Sequence, residues 1–363
     1  MFANIYRNRR VLVTGHTGFK GSWLTAWLLD LGAQVTGFSL GVPTEPANFG
    51  VLGLSSRIQH VLGDVRDRAT LQQTFAEAQP EIVFHLAAQA LVRQSYSEPT
   101  TTFETNALGT LNVLECIRQE SSVQAGVLIT SDKCYRNAEW TWGYRENDVL
   151  GGEDPYSASK ACAEVIAYSY IKSYFQSGPA VATTRAGNVI GGGDWAADRI
   201  VPDCVRAWSE SRAVVIRNPA ATRPWQHVLE PLSGYLWLGA RLLQGDQRAT
   251  GEAFNFGPVA TVNQPVSELI DWLAHDWPSA RIEHKPETAQ GKPEAMLLKL
   301  NCDKALNYLG WHAVLSFEDA VCMTREWYRA YYDGKVATIG ELTSRQIAEY
   351  AAKAGTAGMP WVR

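Results

Sequence analysis

The sequence has little cysteine, no long apolar run and almost no excess of charge. Its six cysteines are scattered over 363 residues, without a C-x-x-C pair or the spacing of a zinc site, so we expect reduced thiols and no metal centre. No apolar run approaches the roughly 20 residues that span a bilayer. The net charge is -4 with both signs interspersed, which gives no broad basic surface for nucleic acid.

The remaining composition is that of a large globular protein. Hydrophobic residues make up 46% of the 363 residues, enough for one large domain or two smaller ones. Residues 1–7 lack the long apolar centre of a signal peptide. We therefore expect a cytoplasmic protein with no membrane or nucleic-acid partner.

The first half of the sequence alternates strand-like apolar runs with helical patterns, as stacked βαβ units do. This alternation predicts an α/β fold with a doubly wound parallel sheet of the Rossmann type. Its ligand crevice is expected at the carboxyl ends of the strands. The predicted strands are residues 11–13, 34–38, 58–62, 82–86, 125–130 and 181–185.

The second half of the sequence lacks this regular alternation of strand and helix patterns. Segments 191–195 and 217–225 are loop-like, and helical patterns such as residues 266–273 have no regular strand partner. We predict a dinucleotide-binding domain at residues 1–187 and a smaller, mixed α/β substrate domain at residues 188–363, with some segments returning to the first domain. Since no low-complexity linker separates the two, we expect a shared interface that encloses a ligand.

Three glycines at intervals of three residues, Gly15, Gly18 and Gly21, follow the first predicted strand. A helical segment at residues 22–31 comes next, and Gly32 closes it. The first glycine suits the tight turn, the second lets the main chain approach a pyrophosphate, and the third permits contact between helix and strand. The helix N-terminus adds amide groups and positive potential. This context predicts a dinucleotide ligand, although a plain structural turn also uses glycine.

A tyrosine and a lysine four residues apart form the next motif. Asp154 is suited to cap a helix with Pro155 in its first turn, so that Tyr156 and Lys160 share one face near the helix N-terminus. A phenol with a pKa of about 10 is a poor base at neutral pH, and a nearby ammonium and helix dipole favour the tyrosinate. The alternative is a surface tyrosine and lysine on an amphipathic helix.

A hydroxyl, a carboxyl and an amine follow the fifth predicted strand, where α/β enzymes place reactive groups. We predict that Ser131 hydrogen-bonds the same substrate oxygen as Tyr156, and that Asp132 and Lys133 offer an acid and a base. The alternative is a solvated turn. The next residue, Cys134, is expected to fill space.

Four segments resemble the CDP-glucose 4,6-dehydratases of the extended short-chain dehydrogenase/reductase superfamily, whose hallmarks are a G-x-x-G-x-x-G turn and Y-x-x-x-K. They are residues 14–23, 130–135, 188–195 and 223–227. The resemblance covers nearly the whole chain. It implies a bound NAD that is reduced and reoxidised, and the conversion of CDP-glucose to CDP-4-keto-6-deoxy-glucose and water. It also implies a role in deoxysugar and lipopolysaccharide O-antigen biosynthesis.

The resemblance implies catalytic roles for Ser131, Asp132, Lys133, Tyr156 and Lys160. Tyr156 would take the proton of the sugar 4-hydroxyl, supported by Ser131 and Lys160. The 4-ketone then acidifies the proton on carbon 5, which Lys133 removes while Asp132 protonates the departing 6-hydroxyl. The related dTDP-glucose dehydratases carry Glu in place of Lys133, so Lys133 must act as the neutral amine. We expect burial beside Lys160 to favour that form.

The end of the second predicted strand lacks the acidic residue that, about 20 residues past the glycine turn, usually holds the ribose of NAD. Only Ser39 is available there. Contact of His16 or Lys20 with a 2′-phosphate would favour NADP, although both are expected to be turn and surface residues. The resemblance favours NAD. The residues assigned to the cofactor are Gly15, Thr17, Gly18, Phe19, Gly21, Ser39, Asp64, Val65, Leu86, Ala87, Ala88, Tyr156 and Lys160.

Two of these assignments concern the adenine, which Asp64 and Val65 would contact; the alternative for Asp64 is an ordinary helix cap. The nucleotide diphosphate is assigned to Asn188, Arg199 and Arg223, because arginine binds two phosphate oxygens at once. Each of them would otherwise form a surface ion pair.

Two other functions stay open from the sequence. A nucleotide-sugar 4-epimerase shares the glycine turn and the tyrosine and lysine pair but needs no acid and base at residues 132–133. A non-catalytic NAD-sensing protein would use the same fold. Helices near residues 103–118 and 155–174 would pair with their copies in a homodimer or a dimer of dimers, as in such families, or would pack internally.

Overall fold

The computed structural model describes residues 1–216, 218–284 and 297–363. Residue 217, in the predicted loop at 217–225, lies outside the described residues. The strands are β1 (Arg10–Thr14), β2 (Gln34–Ser39), β3 (Gln59–Leu62), β4 (Ile82–His85), β5 (Ala125–Ile129), β6 (Ala180–Ala186), β7 (Val189–Ile190), β8 (Val214–Ile216), β9 (Thr222–Arg223), β10 (Gln226–His227), β11 (Ala253–Phe256), β12 (Gln264–Pro265) and β13 (Ile282–His284).

A parallel sheet of seven strands in the order β11-β6-β5-β4-β1-β2-β3 forms the centre of the molecule. The chain winds outward from β1 to β3, returns to β4 beside β1, and then winds outward on the other side. The winding direction therefore reverses between β1 and β4, and ligands bind beside such a reversal. The predicted α/β fold with a doubly wound Rossmann-type sheet is confirmed.

Helices cover both faces of this sheet, which is why its central strands are almost entirely apolar. The α-helices are α1 (Phe19–Asp30), α2 (Asn48–Val51), α3 (Arg68–Ala78), α4 (Val92–Ser97), α5 (Pro99–Phe103), α6 (Gly109–Gln119), α7 (Pro155–Tyr174), α8 (Ile200–Ser209), α9 (Leu229–Leu243), α10 (Val266–Ala274), α11 (Asp303–Leu309), α12 (Phe317–Tyr332) and α13 (Ile339–Thr356).

The helix predicted at residues 22–31 begins earlier, at Phe19, because the turn becomes helical directly after Gly18. Trp23 and Trp27 of this helix are fully buried in the main core. Gly32 ends it with a φ of +79°, as expected of a helix-terminating glycine.

The helix predicted near residues 103–118 is present, but it begins earlier and contains a wider turn. The chain forms α5, then a π-helical stretch at Glu104–Leu108, then α6. In that stretch the buried Asn106 donates to the Gln89 carbonyl at 3.0 Å and to Ser159 Oγ at 2.8 Å. The wider helical turn thus coincides with hydrogen bonds from a polar side chain to the loop after β4 and to α7. Such π-helical turns are frequent at functional sites.

The second half of the chain contributes to the sheet as well. Strand β11 pairs in parallel with β6, and the almost fully buried α9 packs against β5 and β6. Short two-stranded pairings, β7 with β10, β8 with β13 and β9 with β12, lie beyond it. The division at residues 187 and 188 stays a prediction. Among the described residues no helix is long and apolar enough to cross a membrane.

Candidate active site

The glycine turn after β1 is closed to side chains at two positions. A Cβ on Gly15 would lie 2.6 Å from the Ala87 nitrogen, and a Cβ on Gly21 would lie 2.1 Å from the Gly15 oxygen. Gly15 also has a φ of +75°, which favours glycine. A Cβ on Gly18, by contrast, would meet its nearest neighbour at an ordinary 3.4 Å.

Gly18 is also the N-cap of α1, and no side chain of the described residues caps the helix there. The first amide groups of α1 therefore remain available to an anion. Together with the side-chain-free turn, this arrangement fits the pyrophosphate of a dinucleotide.

The loop after β4 lies directly beside this turn. The Leu86 nitrogen donates to the Thr14 oxygen at 3.0 Å, and the Ala87 nitrogen donates to Thr14 Oγ1 at 3.2 Å. His85 Nδ1 lies 2.7 Å from the same hydroxyl. Residues 86–88, Ala88 included, thus follow β4 at the winding reversal, where contact with the cofactor was predicted.

Thr17 and Phe19 connect the glycine turn to two loops. Thr17 Oγ1 donates to the Gly41 oxygen at 2.5 Å. A Cβ on Gly191 would lie 3.1 Å from the Phe19 ring, so the loop after β7 packs against the start of α1.

His16 is fully buried, so the expectation of a surface position is wrong. Its Nδ1 lies 3.1 Å from Ser39 Oγ and its Nε2 lies 2.7 Å from His60 Nδ1. Gly37 makes room for the ring, since a Cβ there would lie 2.4 Å from it. Burial, reinforced by His60, lowers the pKa of His16 to about 4. The ring is therefore neutral near pH 7 and presents no cation to a 2′-phosphate.

Asp64 and Val65 follow β3. The Asp64 carboxylate lies 2.6 Å from Arg66 Nη2 and accepts from the Arg66 nitrogen at 2.9 Å, while Val65 is buried. The helix cap here is Asp67, whose side chain accepts from the nitrogens of Ala69 and Thr70, so the alternative of Asp64 as the cap is wrong. Contact of Asp64 and Val65 with adenine stays a prediction.

The turn after β5 buries its carboxyl group and leaves its amine half-buried. Asp132 is 5% exposed and accepts from Ser131 Oγ at 3.0 Å. Burial raises the pKa of Asp132 even though Lys133 and this hydrogen bond lower it, which favours a protonated group able to act as an acid. Gly187 leaves space for it, since a Cβ there would lie 3.0 Å from Asp132 Oδ2. A solvated turn does not fit this burial.

Asp154 caps α7 as predicted, and its Oδ1 accepts from the Ser157 nitrogen at 3.0 Å. Tyr156 and Lys160 are 8% and 5% exposed, so the alternative of a surface pair is wrong. The Ser131 side chain is close enough to the Tyr156 hydroxyl to lower the pKa of Tyr156. The structure thus brings the two predicted motifs together at one point.

Activation of the Tyr156 phenol by Lys160 and the helix N-terminus stays a prediction, and burial of the phenol opposes it. Burial raises the pKa of Tyr156 to about 12, although Ser131 lowers it. Burial also lowers the pKa of Lys160 to about 8, against the opposite effect of Glu164. For Tyr156, desolvation outweighs the effects of Ser131 and Arg199, which lower its pKa.

Lys20, in the first turn of α1, belongs to the same cluster, a placement that sequence reasoning missed. Burial and the charge of Arg199 lower its pKa to about 8, while Asp132 and Asp194 raise it. A cation in the first turn of a helix opposes the helix dipole. This unfavourable position of Lys20 is the feature of the sequence that could have indicated a role in the site.

The three residues assigned to the diphosphate lie in different elements. Arg199 precedes α8, and its Nη1 lies 2.6 Å from Asp194 Oδ2. Asn188 lies between β6 and β7, and its oxygen accepts from the Gln226 nitrogen at 3.2 Å. Arg223 lies in β9. The structure thus brings Arg199, whose charge acts on Lys20, to the cluster that contains Asp132. Asn188 and Arg223 are not brought to that cluster by any contact described above.

The family described as GDP-mannose 4,6 dehydratase matches residues 12–324, which include the glycine turn, the turn after β5 and the start of α7. This chain belongs to that family. Within it, a CDP-glucose 4,6-dehydratase of Salmonella typhimurium is 44% identical over 358 residues, which are 96% of this chain and 97% of that protein. The predicted resemblance is therefore confirmed.

More distant relatives carry other names. A UDP-glucose 4-epimerase of Mycoplasma pneumoniae is 26% identical over 345 residues, 89% of this chain and 98% of that protein. A solved dTDP-glucose 4,6-dehydratase from Bacillus anthracis in complex with NAD has a TM-score of 0.73 at 23% identity, covering 89% of this chain and 97% of that one. The second of these likenesses concerns the fold alone.

Proposed function

We propose that this protein is a nucleotide-sugar 4,6-dehydratase that converts CDP-glucose to CDP-4-keto-6-deoxy-glucose and water. The observation that carries this proposal is the burial of Asp132 against Ser131, whose side chain also acts on Tyr156. A buried carboxyl group that favours its protonated form supplies the acid that departure of a hydroxyl needs. The name of the relative that is 44% identical over 96% of the chain supports the same activity.

The cofactor of this reaction is NAD. The glycine turn and the start of α1 would hold its pyrophosphate, and residues 86–88 would lie along a ribose. The neutral His16 beside Ser39 favours NAD over NADP. When bound, NAD supplies a nicotinamide that accepts a hydride from sugar carbon 4 and returns it to carbon 6, so that net oxidation is zero.

Tyr156 is proposed as the base that takes the proton of the sugar 4-hydroxyl. Because its pKa is about 12 in the protein alone, the developing phenolate needs compensation. Lys160, one turn further along α7, and the hydroxyl of Ser131 provide a positive charge and a hydrogen bond. Loss of the proton from oxygen and of a hydride from carbon leaves a 4-ketone.

Elimination of water then uses the turn after β5. The 4-ketone acidifies the proton on carbon 5, and the amine of Lys133 is the proposed acceptor of that proton. Asp132 donates its proton to the 6-hydroxyl, which leaves as water. When carbon 6 regains its hydride, the Lys133 ammonium returns its proton to carbon 5. Tyr156 is then left protonated and Asp132 as a carboxylate, so transfer of one proton from Tyr156 to Asp132 restores the starting state.

Substrate binding is proposed for Asn188, Arg199 and Arg223. The support for Arg199 is its position: its charge acts on both Lys20 and Tyr156, which suits a cation that holds the phosphate nearest the sugar.

Incubation of the purified protein with CDP-glucose, dTDP-glucose and UDP-glucose in separate reactions tests the function. We expect a 4-keto-6-deoxy product, formed fastest from CDP-glucose. Inversion of the 4-hydroxyl without loss of water would instead identify a 4-epimerase. Binding of NAD without any turnover would identify a sensor.

We also propose a homodimer or a dimer of dimers. The support is the apolar surface of α7 and the stretch before α6, where Val165, Tyr168, Tyr174 and Leu108 are 58%, 62%, 54% and 50% exposed. Light scattering of the native protein and of Tyr168→Glu checks this proposal, with Val259→Glu as an exposed control elsewhere. A monomeric native protein would contradict it. The cytoplasmic location and the deoxysugar and O-antigen role stay predictions.

A further inference from the structure

A buried ion pair lies behind the catalytic residues and has no place in the steps above. Glu164 and Arg185 are each 3% exposed, and Glu164 accepts from Arg185 Nε at 3.0 Å and from Arg185 Nη2 at 2.8 Å. Replacement of such a pair by apolar residues is often neutral or stabilising. Stability alone is therefore a weak explanation for its presence.

The pair is bonded to both ends of the turn that carries Ser131, Asp132 and Lys133. On one side, Thr130 Oγ1 donates to Glu164 Oε1. On the other, Arg185 Nη1 donates to Tyr135 Oη at 2.7 Å, and the guanidinium lies 4.9 Å from the centre of the Tyr135 ring. The catalytic turn is thus held between two contacts of one buried unit.

The same unit belongs to the helix that carries the proposed base. Glu164 follows Lys160 by one turn of α7, and its other oxygen accepts from Thr183 Oγ1 of β6 at 2.8 Å. Burial alone would raise the pKa of Glu164, but Arg185 and the hydrogen bonds outweigh it and hold the pKa below its ordinary value. Glu164 is therefore ionised beside Lys160.

We propose that Glu164 and Arg185 are positioning residues, which hold the 131–135 turn in register with α7 and place a fixed negative charge next to Lys160. This inference rests on the proposed function, because it concerns the same Tyr156 and Lys160. It predicts that the charge of Glu164, not merely its shape, matters to the reaction.

The titratable groups around Lys160 come from several elements: Glu164 on its own helix, Cys134 on the turn, Lys20 on α1 and His85 at the end of β4. Burial lowers the pKa of His85 to about 3 and raises that of Cys134, so neither changes charge near pH 8. The pKa of Lys20 is also about 8, but Lys20 is unchanged in all the variants that are compared.

Glu164→Gln and Glu164→Asp, measured with CDP-glucose and NAD over a range of pH, separate charge from shape. Both should lower kcat by up to about 10²-fold through displacement of the turn, with KM little changed. Only Glu164→Gln should also move the alkaline limb of the pH profile downward by about one unit, because Lys160 loses its anionic neighbour. The double variant Glu164→Gln/Arg185→Met leaves no unpaired buried charge. Its alkaline limb should move downward as far as that of Glu164→Gln.

The control is Glu230→Gln, which alters another fully buried carboxyl group that accepts from Tyr350 Oη at 2.8 Å. It should lower the melting temperature and leave the pH profile unchanged. Identical pH profiles for native protein, Glu164→Gln and the double variant would overturn the charge role, and an unchanged kcat in Glu164→Asp would overturn the positioning role. If the native protein itself makes no product, the proposed function fails instead.

Discussion

The carboxyl ends of β1 and β5 open into the same crevice but are built in opposite ways. After β1, the site depends on missing side chains, since a Cβ at Gly15 or Gly21 would come within 2.6 or 2.1 Å of backbone atoms. After β5, it depends on buried polar side chains, with Ser131 bonded to Asp132 at 3.0 Å and acting on Tyr156. The first region is suited to hold a cofactor through its main chain, and the second carries the groups that are proposed to determine the reaction.

The largest effect is expected at the second region, from Tyr156→Phe. Loss of the phenolic oxygen removes the proton acceptor and should lower kcat by about 10³-fold, with little change in NAD binding. The matched control is Tyr170→Phe on the same helix, which removes a hydroxyl that donates to Glu115 Oε1 at 2.9 Å. Steady-state product formation checks both variants. Comparable losses in the two would mean that α7 is sensitive as a whole.

A smaller loss, about 10²-fold, is expected when Lys133→Met or Asp132→Asn blocks elimination. Oxidation at carbon 4 does not need these groups, so reduced cofactor should accumulate on the enzyme. Its ultraviolet absorbance in a single turnover measures that step separately from product formation. A native rate of elimination in Lys133→Met, with turnover abolished in Tyr156→Phe, would remove Lys133 from the mechanism.

The first region is tested by comparing Gly21→Ala with Gly18→Ala. The Gly21 variant forces a Cβ to 2.1 Å from the Gly15 oxygen and should destabilise the protein by about 1–3 kcal/mol. The Gly18 variant makes only an ordinary contact and should keep its stability, but should bind NAD more weakly. Thermal unfolding with and without NAD distinguishes the two, because a ligand raises stability by mass action. Equal stability of both variants would contradict the geometric account.

The smallest effect is a dependence on pH. Since the pKa of Lys160 is lowered to about 8, Lys160 is charged below that pH and loses its charge as the pH rises through it. The value of kcat/KM should therefore fall by a few-fold above about pH 8. In Lys160→Arg, which keeps the charge, the residual activity should show no such fall. An identical alkaline limb in both proteins would assign it to another group.

Local features of this molecule could be predicted from the sequence. The glycine turn, the Asp154 cap of α7 and six of the seven sheet strands each depend on neighbouring residues, whose spacing is visible in the chain; the seventh, β11, was not predicted. The sequence also indicated that residues 131–133 and Tyr156 meet, because carboxyl ends of parallel strands share one edge.

Other features depend on contacts between distant residues, which spacing does not reveal. The burial of His16 requires the space left by Gly37 and a partner in His60. Lys20 looks like a surface residue until Asp132 and Arg199 are folded against it. Desolvation raises the pKa of Tyr156. The sequence pattern underestimates this effect, because it identifies the neighbours of Tyr156 on its own helix but not the residues of other elements that bury it.

The most direct test of the central claim follows one hydrogen atom. With CDP-glucose deuterated at sugar carbon 4, the account predicts a 4-keto-6-deoxy product that carries the deuterium at carbon 6, since the hydride removed at the start is returned there. The Tyr156→Phe protein should give almost none of this product. Deuterium that stays at carbon 4, with the hydroxyl inverted, would contradict the account.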